Sequence, residues 1–213
     1  MKEIFLGLLD WIYKKKCYFC KNSKESVRMC SKCYEKLTHL PVQPNRIING
    51  VNIYCAGIYS KELQKLIRGL KYHKQKDLAY FQAKFMYEYW QKLNRTGDFQ
   101  VVAVPLHKKR MQKRKYNHME LVAEEFCRMT GYTPNFSLIK RIKDTKPQYK
   151  LTKKERAQNL HNAFEIEAAN LLDKKILIID DICTTGSTFE EMINEFNKNN
   201  IRDIICFATT TPF

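Results

Sequence analysis

Two adjacent aspartates, Asp180 and Asp181, precede a loop that is rich in hydroxyl groups. The loop combines small hydroxyl side chains with one glycine: Thr184, Thr185, Gly186, Ser187 and Thr188. Backbone N–H groups and the positive end of a following helix hold phosphate well, and a glycine lets the chain approach such a ligand closely. The carboxylates would repel that phosphate, so we expect them to contact sugar hydroxyls and a magnesium ion. The pattern predicts a phosphorylated ribose as ligand.

The segments on either side of this loop would present it at the edge of a sheet. The run Ile176–Ile179 is apolar and too short for a helix, which predicts a central parallel strand covered on both faces. A helix is predicted after the loop from apolar residues at helical spacing: Phe189, Met192, Ile193 and Phe196. We expect Ser187 or Thr188 to cap its start. Open α/β sheets bind ligands at the carboxyl ends of their strands, which favours a binding site over an ordinary acidic turn.

Four of the eight cysteines form two Cys-x-x-Cys pairs: Cys17, Cys20, Cys30 and Cys33. Two such pairs separated by a short polar segment can place four thiolates around one tetrahedral ion. We therefore predict a zinc site, with reduced unligated cysteines or a redox pair as the alternatives. Four thiolates leave no open coordination position, so the predicted role of the zinc is structural.

A strongly basic segment follows a second predicted strand, Val101–Val104. Its charged and aromatic members are Lys108, Lys109, Arg110, Lys113, Arg114, Lys115 and Tyr116. With the formal net charge of +16, this clustering predicts a face that binds a polyanion, in the first place a nucleic acid. Tyr116 is predicted to stack on a base, and a second basic group is expected to help: Lys153, Lys154 and Arg156. A pyrophosphate group or simple solvation of the loop are the alternatives.

The remaining pattern predicts a small amino-terminal module, residues 1–45, and an α/β domain, residues 46–213. The module would begin with an amphipathic helix over Ile4–Ile12, which could dock on a membrane but is expected to pack on its own domain. Pro41–Asn49 is predicted to be a linker, and a sheet of about five strands is expected. Lys140–Arg156 is predicted to form a mobile loop or hairpin able to close over the ligand.

Composition excludes several classes of protein. Hydrophobic residues make up 44% of the 213, which is enough for a packed core. No segment is long enough to span a bilayer, and the amino terminus lacks the features of a signal peptide, so a cytoplasmic location is predicted. In that compartment, eight cysteines favour metal binding or buried thiols over disulfides.

The segment from Ile176 to Thr188 resembles the phosphoribosyl-pyrophosphate (PRPP) motif of type I phosphoribosyltransferases. Together with the paired cysteines, it resembles the ComF family of competence proteins over nearly the whole chain. Further matching segments are Leu8-Leu9-Asp10, Leu70-Lys71-Tyr72, Val104-Pro105-Leu106, Arg110, Arg114, Tyr116-Asn117, Thr145, Gln148, Leu151, Arg156, Asn159 and Ala163-Phe164. The chain departs from the family at Lys115, where a glycine is usual, and at Tyr116 and His118, where phenylalanine and glutamine are usual.

The resemblance implies a role in natural transformation: handling single-stranded DNA at the inner face of the cytoplasmic membrane, with PRPP and magnesium as ligands. It also implies contacts with other competence proteins, such as a DNA-uptake helicase, and peripheral membrane association. Two alternatives stay open. A phosphoribosyltransferase of nucleotide salvage or biosynthesis would explain the loop but not the charge. A PRPP-sensing regulator would explain both, but the sequence has no evident helix-turn-helix.

Overall fold

The computed structural model describes residues 15–144, 160–167 and 175–212, and divides the chain into two compact units, Met1–Thr38 and His39–Phe213. The sequence analysis placed the boundary between residues 45 and 46. His39 forms an antiparallel bridge with Gly57, so the segment after Thr38 pairs with a strand of the second unit. Among the described residues, no helix is long and apolar enough to cross a membrane.

The described part of the first unit contains a short helix, α1 (Ser31–Tyr34), and several turns. The Lys21 N–H donates to the Cys17 carbonyl at 2.9 Å, and the Tyr34 N–H donates to the Cys30 carbonyl at 3.0 Å. Each Cys-x-x-Cys pair therefore lies on a turn that is closed by a backbone hydrogen bond.

The second unit alternates strands with helices. Its strands are β1 (Arg46–Ile48), β2 (Val51–Ile58), β3 (Phe99–Ala103), β4 (Thr133–Pro134), β5 (Ile139–Arg141), β6 (Phe164–Ile166), β7 (Lys175–Ile182) and β8 (Ile204–Thr211). Its described helices are α2 (Lys61–Tyr72), α3 (Leu78–Lys92), α4 (Lys108–Arg114), α5 (His118–Thr130) and α6 (Ser187–Lys198).

Six strands form one sheet in the order β1-β2-β8-β7-β3-β4. All neighbours in it are parallel except β1 and β2, which are antiparallel. Strand β7 lies between β8 and β3, and Ile176–Ile179 are fully buried. The predicted central strand and the parallel sheet flanked by helices are confirmed. Strand β7 continues to Ile182, so Asp180 and Asp181, which were predicted at its carboxyl end, lie within the strand.

Both faces of β7 are covered, as an apolar strand of this kind requires. On one face, Ile176 and Ile178 share a core with the apolar stripe of α6, which was predicted from its spacing. On the other face, Phe207 of β8 contacts the rings of Trp90 and Phe126, at centroid distances of 5.5 and 6.2 Å. These two rings belong to α3 and α5, so helices hold the sheet from both sides.

Three expectations about local structure are wrong. The predicted linker Pro41–Asn49 contains β1, whose three residues are too few to show a strand period but pair with the edge of β2. The basic segment is a helix, α4, rather than a loop. The sheet has six strands, and β5 and β6 form a separate antiparallel pair.

Helix α4 has an N-cap and a C-cap that its sequence pattern does not indicate. The His107 side chain accepts a hydrogen bond from the Lys109 N–H at its start. Lys115 ends it with a φ of 69°, a left-handed conformation that glycine adopts at no steric cost. The lysine at this position thus adopts a backbone conformation that favours glycine.

Several predictions fall outside the described residues. They are the amino-terminal helix over Ile4–Ile12, most of the predicted lid, and the basic residues Lys153, Lys154 and Arg156. The described flanks of the lid region are β5 and β6, which pair with Ile139 opposite Ile166.

Candidate functional site

The predicted phosphate loop connects β7 to α6 in four residues. Gly186 occupies the N-cap position with a φ of 84°, and the Ser187 N–H at the start of α6 donates to Thr185 Oγ1 at 3.4 Å. The predicted cap by Ser187 or Thr188 is therefore wrong, because both residues already lie within α6. The Ser187 hydroxyl instead shares a hydrogen bond of 2.8 Å with the hydroxyl of Thr185.

Strand β1 lies against this loop. A Cβ atom at Gly186 would lie 2.5 Å from Ile48 Cδ1, so the position requires glycine for space as well as for its backbone conformation. Arg46 Nη1 lies 3.5 Å from the same point. The sequence gives no sign of this role of Arg46, because the residue lies in the segment that was predicted to be a linker.

Asp180 shares a small pocket with the loop. The pocket is lined by Asp180, Ile182, Cys183, Thr184, Gly186, Ser187, Thr188 and Phe189. One carboxyl group and the hydroxyl-rich start of α6 thus face the same space. Asp181 is absent from this lining because successive strand residues point to opposite faces.

Asp181 is buried among other charged and polar groups. Its Oδ2 lies 2.5 Å from Lys71 Nζ and 2.5 Å from His118 Nε2, and its side chain is 7% exposed. Burial by itself would raise the pKa of this carboxyl, but Lys71 and His118 hold it well below its usual range. The carboxylate is therefore charged inside the protein, with both partners at its Oδ2.

The hydrogen-bond partners of His118 fix its protonation state. Arg114 Nη1 lies 3.0 Å from His118 Nδ1, and a guanidinium can only donate, so Nδ1 is the acceptor. The proton is then on Nε2, from which it is donated to Asp181. Burial also lowers the pKa of His118, which agrees with a neutral ring. The sequence gives no sign of this pairing, because Asp181 is 63 residues away.

The neighbouring carboxyl behaves differently. Burial and the negative charge of Asp181 raise the pKa of Asp180 to about 8, so this group holds a proton at neutral pH. The two aspartates are thus not an equivalent pair. Only Asp180 faces the pocket, so the donor set predicted for magnesium is reduced to a single protein carboxyl group.

The basic segment lies after the carboxyl end of β3, next to these groups, and its members differ in exposure. Lys108, Lys109, Lys113 and Lys115 are exposed, whereas Arg110 and Arg114 are partly buried. Lys109 forms an ion pair of 2.7 Å with Asp144.

Tyr116, the predicted stacking residue, is partly buried. Its hydroxyl donates to the carbonyl of Leu70, and Lys76 Nζ lies 4.9 Å from its ring centroid. Arg141 of β5 is another basic residue that the sequence analysis missed. Burial and the charge of Arg110 lower the pKa of Arg141 to about 10.

In the first unit, the four predicted cysteines come together. The sulfur atoms of Cys17, Cys20, Cys30 and Cys33 all lie within 4.8 Å of one another. Three of the four residues are buried and Cys20 is exposed. Burial would raise the pKa of Cys17, but backbone N–H groups of Cys20, Cys30 and Phe19 lower it to about 6. The cluster can bind a metal ion.

No family model matches the chain. Over 198 residues the chain is 25% identical to Competence protein F of Haemophilus influenzae, covering 88% of this chain and 86% of that protein. The resemblance to the ComF proteins is confirmed. The chain is also 24% identical over 192 residues to DNA utilization protein YhgH of Escherichia coli K12, covering 86% of this chain and 84% of that protein.

Two solved structures with a partial likeness are enzymes. One is an allosteric regulatory enzyme of purine biosynthesis, with 14% identity, a TM-score of 0.39 and coverage of 85% of this chain and 30% of that chain. The other is adenine phosphoribosyltransferase from Thermoanaerobacter pseudethanolicus, with 13% identity, a TM-score of 0.35 and coverage of 83% of this chain and 98% of that chain.

The Asp181 cluster generates a prediction about stability. Asp181→Asn leaves the partly buried Lys71 without a countercharge, which should lower the free energy of unfolding by about 2–4 kcal/mol in urea titrations. Because the pKa of Asp181 is depressed in the folded state, its contribution is present above the unfolded pKa of about 3.9 and is lost as the pH falls below that value. The difference between variant and wild type should therefore shrink in acid.

Asp203→Asn is the matched control. Asp203 is 65% exposed and pairs with Lys175 at 3.5 Å, so its loss should change stability little. Equal stability of the two variants would contradict the structural role assigned to Asp181.

Proposed function

We propose that the chain binds a phosphorylated ribose, with PRPP as the expected ligand, at Asp180 and the loop Thr184–Thr188. The observation that carries the proposal is the pocket that Asp180 shares with the start of α6. Backbone N–H groups and hydroxyls there suit the 5-phosphate. A protonated Asp180 can donate one hydrogen bond and accept others, which suits a sugar diol.

Magnesium enters this proposal in a reduced form. Asp181 is engaged by Lys71 and His118, so Asp180 is the protein carboxyl group that we expect near the ion. The positive charge of the ion would favour the ionised form of Asp180, whereas the protonated form belongs to the site without magnesium. Magnesium keeps several waters and binds substrate phosphates together with one or two carboxylates, and such a site needs only limited protein ligation. When bound, the ion would neutralise part of the charge of the pyrophosphate.

We further propose that the chain binds single-stranded DNA in a competence or DNA-uptake role, on the cytoplasmic side. Two relatives carry names that concern competence and DNA utilization. The exposed lysines of α4 and its C-cap supply sequence-independent contacts to phosphates, as the net charge of +16 also suggests. Arg114 of the same helix contacts His118, which binds Asp181 next to Asp180, so PRPP and DNA are expected to influence each other's binding.

We propose zinc as the metal of the cysteine cluster. Four thiolates in a closed set suit tetrahedral zinc, in which Zn–S distances of about 2.3 Å correspond to sulfur separations of roughly 3.8 Å. The sulfur atoms of Cys20 and Cys30 already lie 3.6 Å apart. The ion would stabilise the turns of the first unit and take no part in chemistry.

The phosphoribosyl proposal is tested by calorimetry with PRPP, ribose 5-phosphate and 2-deoxyribose 5-phosphate, with and without magnesium. The wild type should prefer the ribose compound because Asp180 contacts the diol. Asp180→Ala should weaken binding of ribose 5-phosphate by about tenfold, the value of one good hydrogen bond, and remove that preference.

Asp180→Asn serves as the comparison, because an amide also donates and accepts hydrogen bonds. If Asp180 is protonated in the site, this variant should keep most of the affinity at pH 7. If the wild type binds none of the three compounds, the phosphoribosyl proposal is refuted.

The DNA proposal is tested through the salt dependence of oligonucleotide binding. Substitution of Lys108, Lys113 and Lys115 by alanine should flatten the plot of log affinity against log salt by about two units, since each lost phosphate contact on a single strand removes about 0.7. These three lysines are exposed, whereas Arg114 supports His118 and its loss would disturb the fold.

The matched control removes the same charge from the opposite edge of the sheet, by substitution of Lys92, Lys175 and Arg202 with alanine. This variant should keep most of the wild-type slope. Equal slopes for both triple variants would show that the segment from Lys108 to Lys115 is an ordinary solvated surface.

The zinc proposal is tested by metal analysis of the purified chain, which should contain about one zinc per molecule. Substitution of Cys30 and Cys33 by serine should abolish the zinc and destabilise the first unit. Cys127→Ala, which removes a buried thiol outside the cluster, should leave the metal content unchanged. Retention of zinc by the double variant would refute the assignment.

A further inference from the structure

Tyr72, the last residue of α2, is the most exposed large aromatic residue in the described part of the chain. Its side chain is 59% exposed, whereas Tyr116 is partly buried with its hydroxyl bound to the Leu70 carbonyl. An aromatic ring of this size is usually buried in the core or at an interface, and its exposure within a basic region calls for an explanation.

Two guanidinium groups frame the Tyr72 ring. The Cζ atom of Arg114 lies 5.6 Å from the ring centroid, and that of Arg68, one helical turn earlier in α2, lies 5.9 Å away. Both distances are within the range of cation–π attraction, so the arginines hold the ring in place while part of it faces solvent. Unpaired bases stack on aromatic rings, such as that of tyrosine, and on the planes of arginine guanidinium groups.

The position of Tyr72 links it to the binding site already described. Its neighbour Lys71 forms the ion pair with Asp181, and Arg114 contacts both the Tyr72 ring and His118. The buried cluster thus fixes the backbone below Tyr72 and one of its two arginines. A preorganised aromatic surface loses little conformational entropy when a ligand binds.

We propose that Tyr72, framed by Arg68 and Arg114, is a stacking platform for an unpaired nucleobase. The inference rests on the proposed binding of single-stranded DNA and adds the residue that contacts a base, as distinct from the lysines that contact phosphates. The same surface chemistry would accept the base of a free nucleotide, so the experiment includes both sources.

The test compares three ligands at one fixed salt concentration: a thymine oligonucleotide, an abasic strand of the same length and free thymidine monophosphate. Tyr72→Ala should weaken binding of the thymine strand by about 5- to 150-fold, the loss expected when one stacked base is released. It should leave binding of the abasic strand within about twofold, because that ligand offers phosphates only.

Two further variants control for folding and for the ring itself. Tyr72→Phe keeps the aromatic face and should bind the thymine strand within about twofold of wild type. Tyr80→Ala removes another tyrosine, 46% exposed on α3, and should have no effect. Thermal unfolding of each variant checks that the fold is intact.

The outcomes separate this inference from the proposal on which it rests. If the wild type binds the thymine and abasic strands and Tyr72→Ala changes neither affinity, DNA binding stands and the platform is refuted. Equal weakening of both strands would also refute it, since the effect would not depend on bases. If the wild type binds neither strand nor the monophosphate, the proposed DNA binding and the proposed platform both fail. If it binds only the monophosphate, and Tyr72→Ala weakens that binding, the base comes from a free nucleotide.

Discussion

The buried carboxylate of Asp181 is the constraint on which the rest of the site depends. A charge with so little exposure is tolerated only when it is paired and hydrogen-bonded, and its partners come from two other elements, Lys71 at the end of α2 and His118 at the start of α5. The cluster therefore joins the carboxyl end of β7 to both helices. Because strand residues alternate, Asp181 turned inward leaves Asp180 turned toward the pocket.

The phosphate loop depends on a second constraint, the close approach of β1. Gly186 has a left-handed backbone, and Ile48 occupies the space that a side chain at this position would need. The loop and the edge strand are therefore in direct contact, and a shift of one affects the other. This contact also brings Arg46 to the loop. A cation beside a helix N-terminus strengthens the attraction for a dianion, which is consistent with a loop that receives a phosphate.

Along the basic segment, charge serves two purposes that the composition does not distinguish. Arg114 is directed inward, where it donates to His118 and flanks Tyr72. The lysines at positions 108, 113 and 115 are directed to solvent. The left-handed backbone of Lys115 ends α4 before α5 begins. A single positively charged stretch thus contains both structural residues and residues available to a polyanion.

The sequence by itself determined the central strand, the helix after the loop and the cysteine cluster, because each depends on residues that are close along the chain. It could not determine the roles of Asp181, Lys71 and His118, since their pairing joins residues up to 110 positions apart. Strand β1 was equally hidden, because three residues show no period. The exposure of Tyr72 and the burial of Tyr116 were decided only by tertiary packing, which sets what water can reach.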